Sequence, residues 1–224
     1  MSNTLPREKY SLLFFDLDGT LADTIDSIKD AVNMALERYG FPPRTYEDIR
    51  LAIGNGARKL ISRSVPPSVA DDSELVAEVY ALYEESYEKT FMRADRCYDG
   101  MYETVISLRE RGYTLAVLSN KQDAFVKKII EILFPEGTFA EVMGQTELPT
   151  KPDPTVPLMI AERLGVAPAE CAFIGDSDVD IKTGLASGMA AIGCSWGYRS
   201  SDALRAAGAD AVIDDPRELL KLFG

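Results

Sequence analysis

Residues 12–20, Leu12-Leu13-Phe14-Phe15-Asp16-Leu17-Asp18-Gly19-Thr20, decide how this chain folds. Four consecutive apolar residues suit a strand buried on both faces. Two aspartates one residue apart, a glycine and a threonine follow at once, which marks a tight turn. The pattern places Asp16 and Asp18 at the carboxyl end of a buried strand, where ligands bind in open α/β sheets. Two close carboxylates repel each other, so a chain that puts them there has a use for them. One use is to hold a divalent cation. Another divides labour between a nucleophile and an acid/base.

Working outward, the first strand is expected over 11–16 and a helix from about Thr24. In that helix Ile25, Ile28, Val32, Ala35, Leu36 and Tyr39 recur at helical spacing. Asp23 or Thr24 can cap its start and Gly40 can end it. Residues 46–53, 57–64 and 73–89 read as further helices, the last with Leu75, Val79, Leu82, Tyr83 and Tyr87 on its apolar stripe. After Gly100 the character changes. Helices near 101–111, 123–133, 154–164, 179–187, 202–207 and 216–223 alternate with strands near 114–118, 141–143, 172–174, 190–193 and 211–213. Such alternation implies right-handed βαβ units and a parallel sheet covered on both faces. The expected fold is therefore α/β, a Rossmann-like three-layer core with an inserted all-helical cap. Residues 1–21 and 96–224 form the core and 22–95 the cap.

Composition narrows the function. The chain has 224 residues and a formal net charge of −12, with no basic stripe to displace counterions, so nucleic-acid binding is not expected. It contains no histidine, which removes Ser-His-Asp and Cys-His catalysis and most zinc sites. Cys97, Cys171 and Cys194 are odd in number and widely spaced, which suits free thiols in a reducing cytosol. The N-terminal ten residues lack the apolar stretch of a signal peptide, and no run approaches the ~18 apolar residues of a membrane span. A soluble, cytoplasmic protein is expected, either monomer or homodimer.

Four segments lie at or just beyond strand ends: Asp16 and Asp18; Ser119-Asn120; Lys151 in Thr-Lys-Pro-Asp-Pro; and Gly175-Asp176-Ser177 with Asp178 and Asp180. A parallel sheet gathers such ends at one edge. Hard oxygen donors there suit Mg²⁺, and a hydroxyl with an ammonium suits a phosphoryl group. Taken singly, Ser119-Asn120 reads rather as a helix-capping pair and Lys151 as a solvated lysine, while Asp178 reads equally well as a helix cap.

With these four segments in order, the chain resembles the phosphatases of the haloacid dehalogenase superfamily that carry a helical cap after the first motif. The resemblance implies Asp16 as the nucleophile that becomes an aspartyl-phosphate and Asp18 as acid and base. It implies Mg²⁺ held by the carboxylates of Asp16 and Asp176 and the backbone carbonyl of Asp18. Ser119, Asn120, Lys151 and Thr20 would bind the phosphoryl group. Asp180 and Ser177 would support the metal site, with Gly19 and Thr20 shaping the turn.

The cap carries Ile53-Gly54-Asn55-Gly56-Ala57 before a helix, a turn whose backbone amides can meet an anion. That G-N-G, and the K-P-x-P context of Lys151, are similar to the bacterial phosphoglycolate phosphatases. Asn55, Gly56 and Arg58 are thus the expected substrate contacts of the cap. The implied substrate is a small phosphorylated metabolite such as 2-phosphoglycolate. Trp196 and Arg199 suit either the site entrance or packing, and Tyr80, Tyr83 and Tyr87 read as cap core. Gly184 stands where many relatives carry alanine. Rival readings are an inorganic pyrophosphatase, a sugar-phosphate phosphatase or mutase, a phospho-accepting receiver domain, and a non-catalytic phosphate binder. Gly175-Asp176 differs from the Glu-Asp of similar mutases, receivers have no helical insertion after the first strand, and the intact Asp16–Asp18 pair argues against an idle binder.

Overall fold

The computed structural model describes residues 9–91 and 96–224. Most of the N-terminal segment read for a leader, and the cap boundary placed at residue 95, lie outside the described residues.

Six strands build one parallel sheet: β1 (Leu12–Phe15), β2 (Thr114–Gln122), β3 (Glu141–Gln145), β4 (Cys171–Gly175), β5 (Ala190–Cys194) and β6 (Ala211–Ile213). Their order is β3-β2-β1-β4-β5-β6. From β1 the chain steps outward through β2 to β3. It then returns to lay β4 against the other side of β1 and continues to β6. The reversal opens a crevice beyond the carboxyl ends of β1 and β4, the position where such sheets hold ligands. In register, Phe15 lies beside Val117 of β2 and Ile174 of β4, so Asp16, Ser119 and Asp176 all emerge at the same edge.

Alternation along β1 explains why its apolar run is unbroken. Leu13 and Phe15 pack on one face with Val105 of α5 (Met101–Glu110), Val126 and Ile129 of α6 (Asp123–Leu133), and Leu219 of α10 (Leu219–Leu222). Leu12 and Phe14 pack on the other with Val156 and Ile160 of α7 (Thr155–Arg163). Helices on both sides give the three layers of a Rossmann-like α/β fold. Two further helices, α8 (Asp178–Ala186) and α9 (Ser201–Ala206), follow β4 and β5. Gly184 of α8 presses on the sheet so closely that a Cβ there would lie 3.1 Å from Ala191 Cβ and 3.2 Å from Phe173 Cβ. That approach leaves little room for a side chain at Gly184.

Between β1 and α5 lie α1 (Ile25–Glu37), α2 (Tyr46–Ala52), α3 (Ala57–Ser64) and α4 (Ser73–Thr90). On α4, Val79, Tyr83 and Tyr87 are buried, as the apolar stripe requires, and they join the core on the α5–α6 side of the sheet. The two connections to this helical block run side by side. Tyr98 N donates to Leu21 O at 3.3 Å, Asp23 N donates to Arg96 O at 3.4 Å, and Ala22 bridges Cys97.

Most element ends fall within one or two residues of expectation; three differences bear on the site. First, β2 was expected to stop at Leu118 but continues to Gln122, with a register shift between Leu118 and Gln122. An irregularity of this kind re-aims side chains, and here it carries Ser119, Asn120 and Lys121. Second, Thr24 holds the N-cap position of α1, yet its side chain makes no capping bond. Third, Asp178 does not cap α8, because Ser177 does.

Candidate active site

The site is built from the strand ends upward. After β1 the chain turns at Gly19, whose φ is +90°. A Cβ there would stand 2.5 Å from Asp176 Oδ2, so only glycine allows both the backbone conformation and the contact. Asp176 leaves the end of β4. Its Oδ1 accepts from Thr20 Oγ1 at 3.2 Å and its Oδ2 from Tyr198 N at 2.7 Å. Ser177 then opens α8 with a reciprocal cap: Asp180 N donates to Ser177 Oγ at 3.4 Å, and Ser177 N donates to Asp180 Oδ2 at 3.1 Å, joined by the Ser177 hydroxyl at 2.6 Å. The cap fixes Asp180 with its other oxygen, Oδ1, turned to Lys151 Nζ at 2.7 Å.

Asp16, Asp176 and Asp180 thus form an acidic cluster in which one oxygen from each lies within 4.8 Å of the others. The Lys151 ammonium stands 2.8 Å from Asp16 Oδ1, an ion-pair distance. That buried oxygen has no hydrogen-bond partner among the described residues. Burial pushes the Asp16 carboxyl up to about 6, against the pull of Lys151 and with the help of Asp180's charge. Burial, then the charges of Asp180 and Asp16, hold the Asp176 carboxyl well above the usual range. Burial alone would lower the Lys151 ammonium, but the carboxylates of Asp16 and Asp180 outweigh it and hold it above its ordinary value. Carboxylates crowded, desolvated and short of one hydrogen bond fit a divalent cation with oxygen preference, so the donor set passes this chemical test.

Asp18 occupies a different environment. Its Oδ1 accepts from Thr24 Oγ1 at 2.6 Å, and Lys121 Nζ lies 2.9 Å from both of its oxygens. Thr24 leaves its own helix uncapped to make this contact. Lys121 escaped the sequence reading, although it directly follows Ser119-Asn120 in a chain where lysines near the site matter. The missing signal is the extension of β2, which turns a residue expected in a loop into one aimed at the cavity.

Two motif residues have other partners than expected. Thr20 is fully buried with its hydroxyl on Asp176 and does not line the cavity. Asn120 clamps Lys151 from both sides: Lys151 N donates to Asn120 Oδ1 at 2.9 Å, and Asn120 Nδ2 donates to Lys151 O at 3.0 Å. Ser119 and Asn120 both line the cavity, and Ser119 Oγ accepts from Lys121 N at 3.3 Å. Neither Ser119 nor Asn120 caps α6, whose N-cap is Gln122. Asp178 stands at the surface, where Lys182 Nζ pairs with it at 2.6 Å.

The cavity, about 60 Å³, is lined on the side of the helical block by Ile53, Gly54, Gly56, Ala57, Leu60 and Tyr83. Gly56 therefore lines it as expected, whereas Asn55 and Arg58 are turned away. Asn55 is exposed and accepts from Arg63 Nη2 at 2.9 Å, and the Arg58 guanidinium lies 4.7 Å from the Tyr80 ring centroid. Tyr83, read as cap core, is buried and also forms part of the cavity wall. The loop after β5 does more than the sequence suggested. Arg199 donates to Arg50 O at 2.7 Å and to Ile53 O at 2.8 Å, while the Arg50 guanidinium donates back to the Tyr198 carbonyl. Trp196 Nε1 donates to Thr20 O at 3.1 Å, a packing role beneath the turn.

Comparison with known proteins agrees with this geometry. The profile of the haloacid dehalogenase-like hydrolases matches residues 13–194. A phosphoglycolate phosphatase of Pseudomonas putida is 35% identical over 97% of this chain and 79% of its own length. One of Haemophilus influenzae is 31% identical over 96% of this chain and 99% of its own. Among solved structures, a protein of Haemophilus somnus described as a predicted phosphoglycolate phosphatase superposes with a TM-score of 0.89. It is 27% identical and covers 96% of this chain and 99% of its own. The chain belongs to the haloacid dehalogenase-like hydrolases, and is a phosphatase of that family.

Proposed function

We propose that the protein is a Mg²⁺-dependent phosphomonoesterase that acts through an aspartyl-phosphate, with 2-phosphoglycolate as its substrate. The observation that carries this reading is the contrast between Asp16 and Asp18. One carboxylate sits in a buried acidic cluster beside the Lys151 ammonium; the other lines the cavity next to that cluster, oriented by the Thr24 hydroxyl. Two carboxylates in separate environments are the arrangement that divides nucleophile from acid/base.

The carboxylates of Asp16 and Asp176 and the backbone carbonyl of Asp18 would hold Mg²⁺, with Asp180 kept beside them by Ser177 and Lys151. When bound, the cation supplies positive charge that offsets the repulsion between carboxylate and phosphoryl group. An Asp16 oxygen then attacks phosphorus, and the bond from phosphorus to the alcohol oxygen breaks. Asp18 gives its proton to that oxygen. In the second half, Asp18 takes a proton from water, whose oxygen attacks the same phosphorus. The bond from phosphorus to Asp16 breaks, inorganic phosphate leaves, and both aspartates return to their starting state. Lys151, clamped by Asn120, stabilises the charge on the phosphoryl oxygens, and Ser119 is placed to donate to one of them.

A small cavity under the helical block supports a small leaving group, and the named relatives support 2-phosphoglycolate. The block acts as a cap that must part from the core to admit substrate, turning on the paired connections at 21–23 and 96–98. The test is to mix the Asp18→Asn variant with 2-phosphoglycolate and Mg²⁺, quench in acid and digest. A gain of about 80 Da on the peptide containing Asp16 is expected. The same gain on any other peptide refutes the scheme.

A further inference from the structure

The geometry points to Lys121 as the residue that recognises a second anionic group on the substrate, releasing Asp18 as it does so. The inference rests on the phosphomonoesterase reading and names the substrate class more closely: small phosphomonoesters with a carboxylate near the ester oxygen.

Positive charge around the cavity is already assigned, apart from Lys121. Lys151 is held between Asp16 and Asp180 and clamped by Asn120. Arg199 spends two of its donors on the carbonyls of Arg50 and Ile53. Arg58 lies over Tyr80, outside the cavity wall. Lys121 is buried, with 7% of its side chain exposed, and its ammonium lies 4.5 Å from the Tyr87 ring centroid. It also forms part of the wall of an adjoining cavity of about 190 Å³ beneath Tyr80 and Tyr83. A buried ammonium on an aromatic face at a cavity wall is a poor place to leave a charge without an anion. In the free protein the anion is Asp18.

That pairing is incompatible with the role of Asp18. The acid must present a proton to the leaving oxygen, yet the ammonium of Lys121 occupies both of its oxygens at 2.9 Å. An anion carried by the leaving group resolves the conflict. The leaving oxygen must come to Asp18, so a carboxylate one methylene beyond it arrives beside Lys121. The ammonium exchanges one carboxylate for another, and Asp18 is freed while its hydrogen bond from Thr24 still orients it. A substrate without the second anion leaves Lys121 on Asp18 and is turned over poorly. Recognition and activation thus use the same ammonium.

The test compares 2-phosphoglycolate with 2-hydroxyethyl phosphate, which has the same length and a neutral end. The readout is the ratio of kcat/KM values, which a general loss of folding or of acid catalysis leaves unchanged. Wild type is expected to favour 2-phosphoglycolate, Lys121→Gln to lose about 30-fold or more of that preference, and Lys121→Arg to keep much of it. A ratio unchanged in Lys121→Gln overturns the inference, whatever happens to absolute rates, and leaves the phosphatase reading intact. A wild type that hydrolyses neither ester with Mg²⁺ overturns both. Should the glutamine variant be too slow to assay, calorimetry replaces kinetics, using 3-phosphonopropionate and propylphosphonate as unreactive counterparts. Lys121→Gln should then lose its preference for the carboxylated ligand, and equal preference in variant and wild type counts against the proposal.

Discussion

Thr24 occupies the N-cap position of α1 but gives its hydroxyl to Asp18 Oδ1, 2.6 Å away, rather than to its own helix. A second contact, 3.2 Å to the Tyr198 hydroxyl, ties the same atom to the loop that backs Asp176. The residue that precedes α1 and the candidate acid are therefore one unit. Thr24→Val keeps the shape and removes the hydroxyl. No capping bond is lost, so the stability cost is that of two buried hydrogen bonds, one of them to a carboxylate, about 2–3 kcal/mol. Turnover should fall about tenfold through a misaligned Asp18, with KM for 2-phosphoglycolate little changed. Steady-state kinetics and a thermal melt check this; a rise in KM at unchanged kcat contradicts it.

The acidic cluster makes stability depend on pH and cation together. With Asp16 raised from 3.8 to about 6, the folded chain without cation binds this proton more tightly than the unfolded chain does. The sign follows: its contribution to stability is present in full below pH 3.8 and is lost as pH rises through about 6. The loss is on the order of 3 kcal/mol from this group. Mg²⁺ binds the ionised carboxylates, so it should restore stability most where they are ionised. The rise in Tm on adding Mg²⁺ to chelator-treated protein is expected to be larger at pH 7.5 than at pH 4.5. An equal rise at both values contradicts the assignment of Asp16 to the cation site.

The reciprocal arginines link core and helical block. Arg199 reaches the carbonyls of Arg50 and Ile53, and Arg50 reaches that of Tyr198. Removing Arg199 deletes two of these bonds from a partly buried position without touching the acidic cluster. Arg199→Ala is expected to populate a more open form, with a larger radius of gyration by small-angle scattering in the absence of ligand. KM should rise about fivefold, because closure must then be driven by substrate binding. Identical scattering profiles for variant and wild type contradict a clasp at this position.

Much of this was legible in the sequence, and the reasons are physical. The apolar run before Asp16 reads as a strand buried on both faces, and the alternation after Gly100 as βαβ units. The strand ends followed from that, and with them Asp16, Asp18, Ser119, Lys151 and Asp176. The residues that moved were those whose partners lie far away in the chain. Thr20 turns to Asp176, 156 positions distant, and does not line the cavity. Asn55 and Arg58 were chosen for their place beside a glycine turn, but Arg63 and Tyr80 hold them elsewhere. Local sequence shows what can cap or turn; it does not show which distant group competes for the same atom. Lys121 was missed for the related reason that its placement depends on a register shift in β2, which no side-chain pattern announces.

The most direct measurement is kcat/KM for 2-phosphoglycolate against a panel of small phosphomonoesters, sugar phosphates, nucleotides and pyrophosphate, each with Mg²⁺ and with EDTA. The account predicts that 2-phosphoglycolate leads the panel by about a hundredfold, roughly 2.7 kcal/mol of differential transition-state binding, and that EDTA abolishes activity. Equal rates across the panel, or full activity in EDTA, would contradict it.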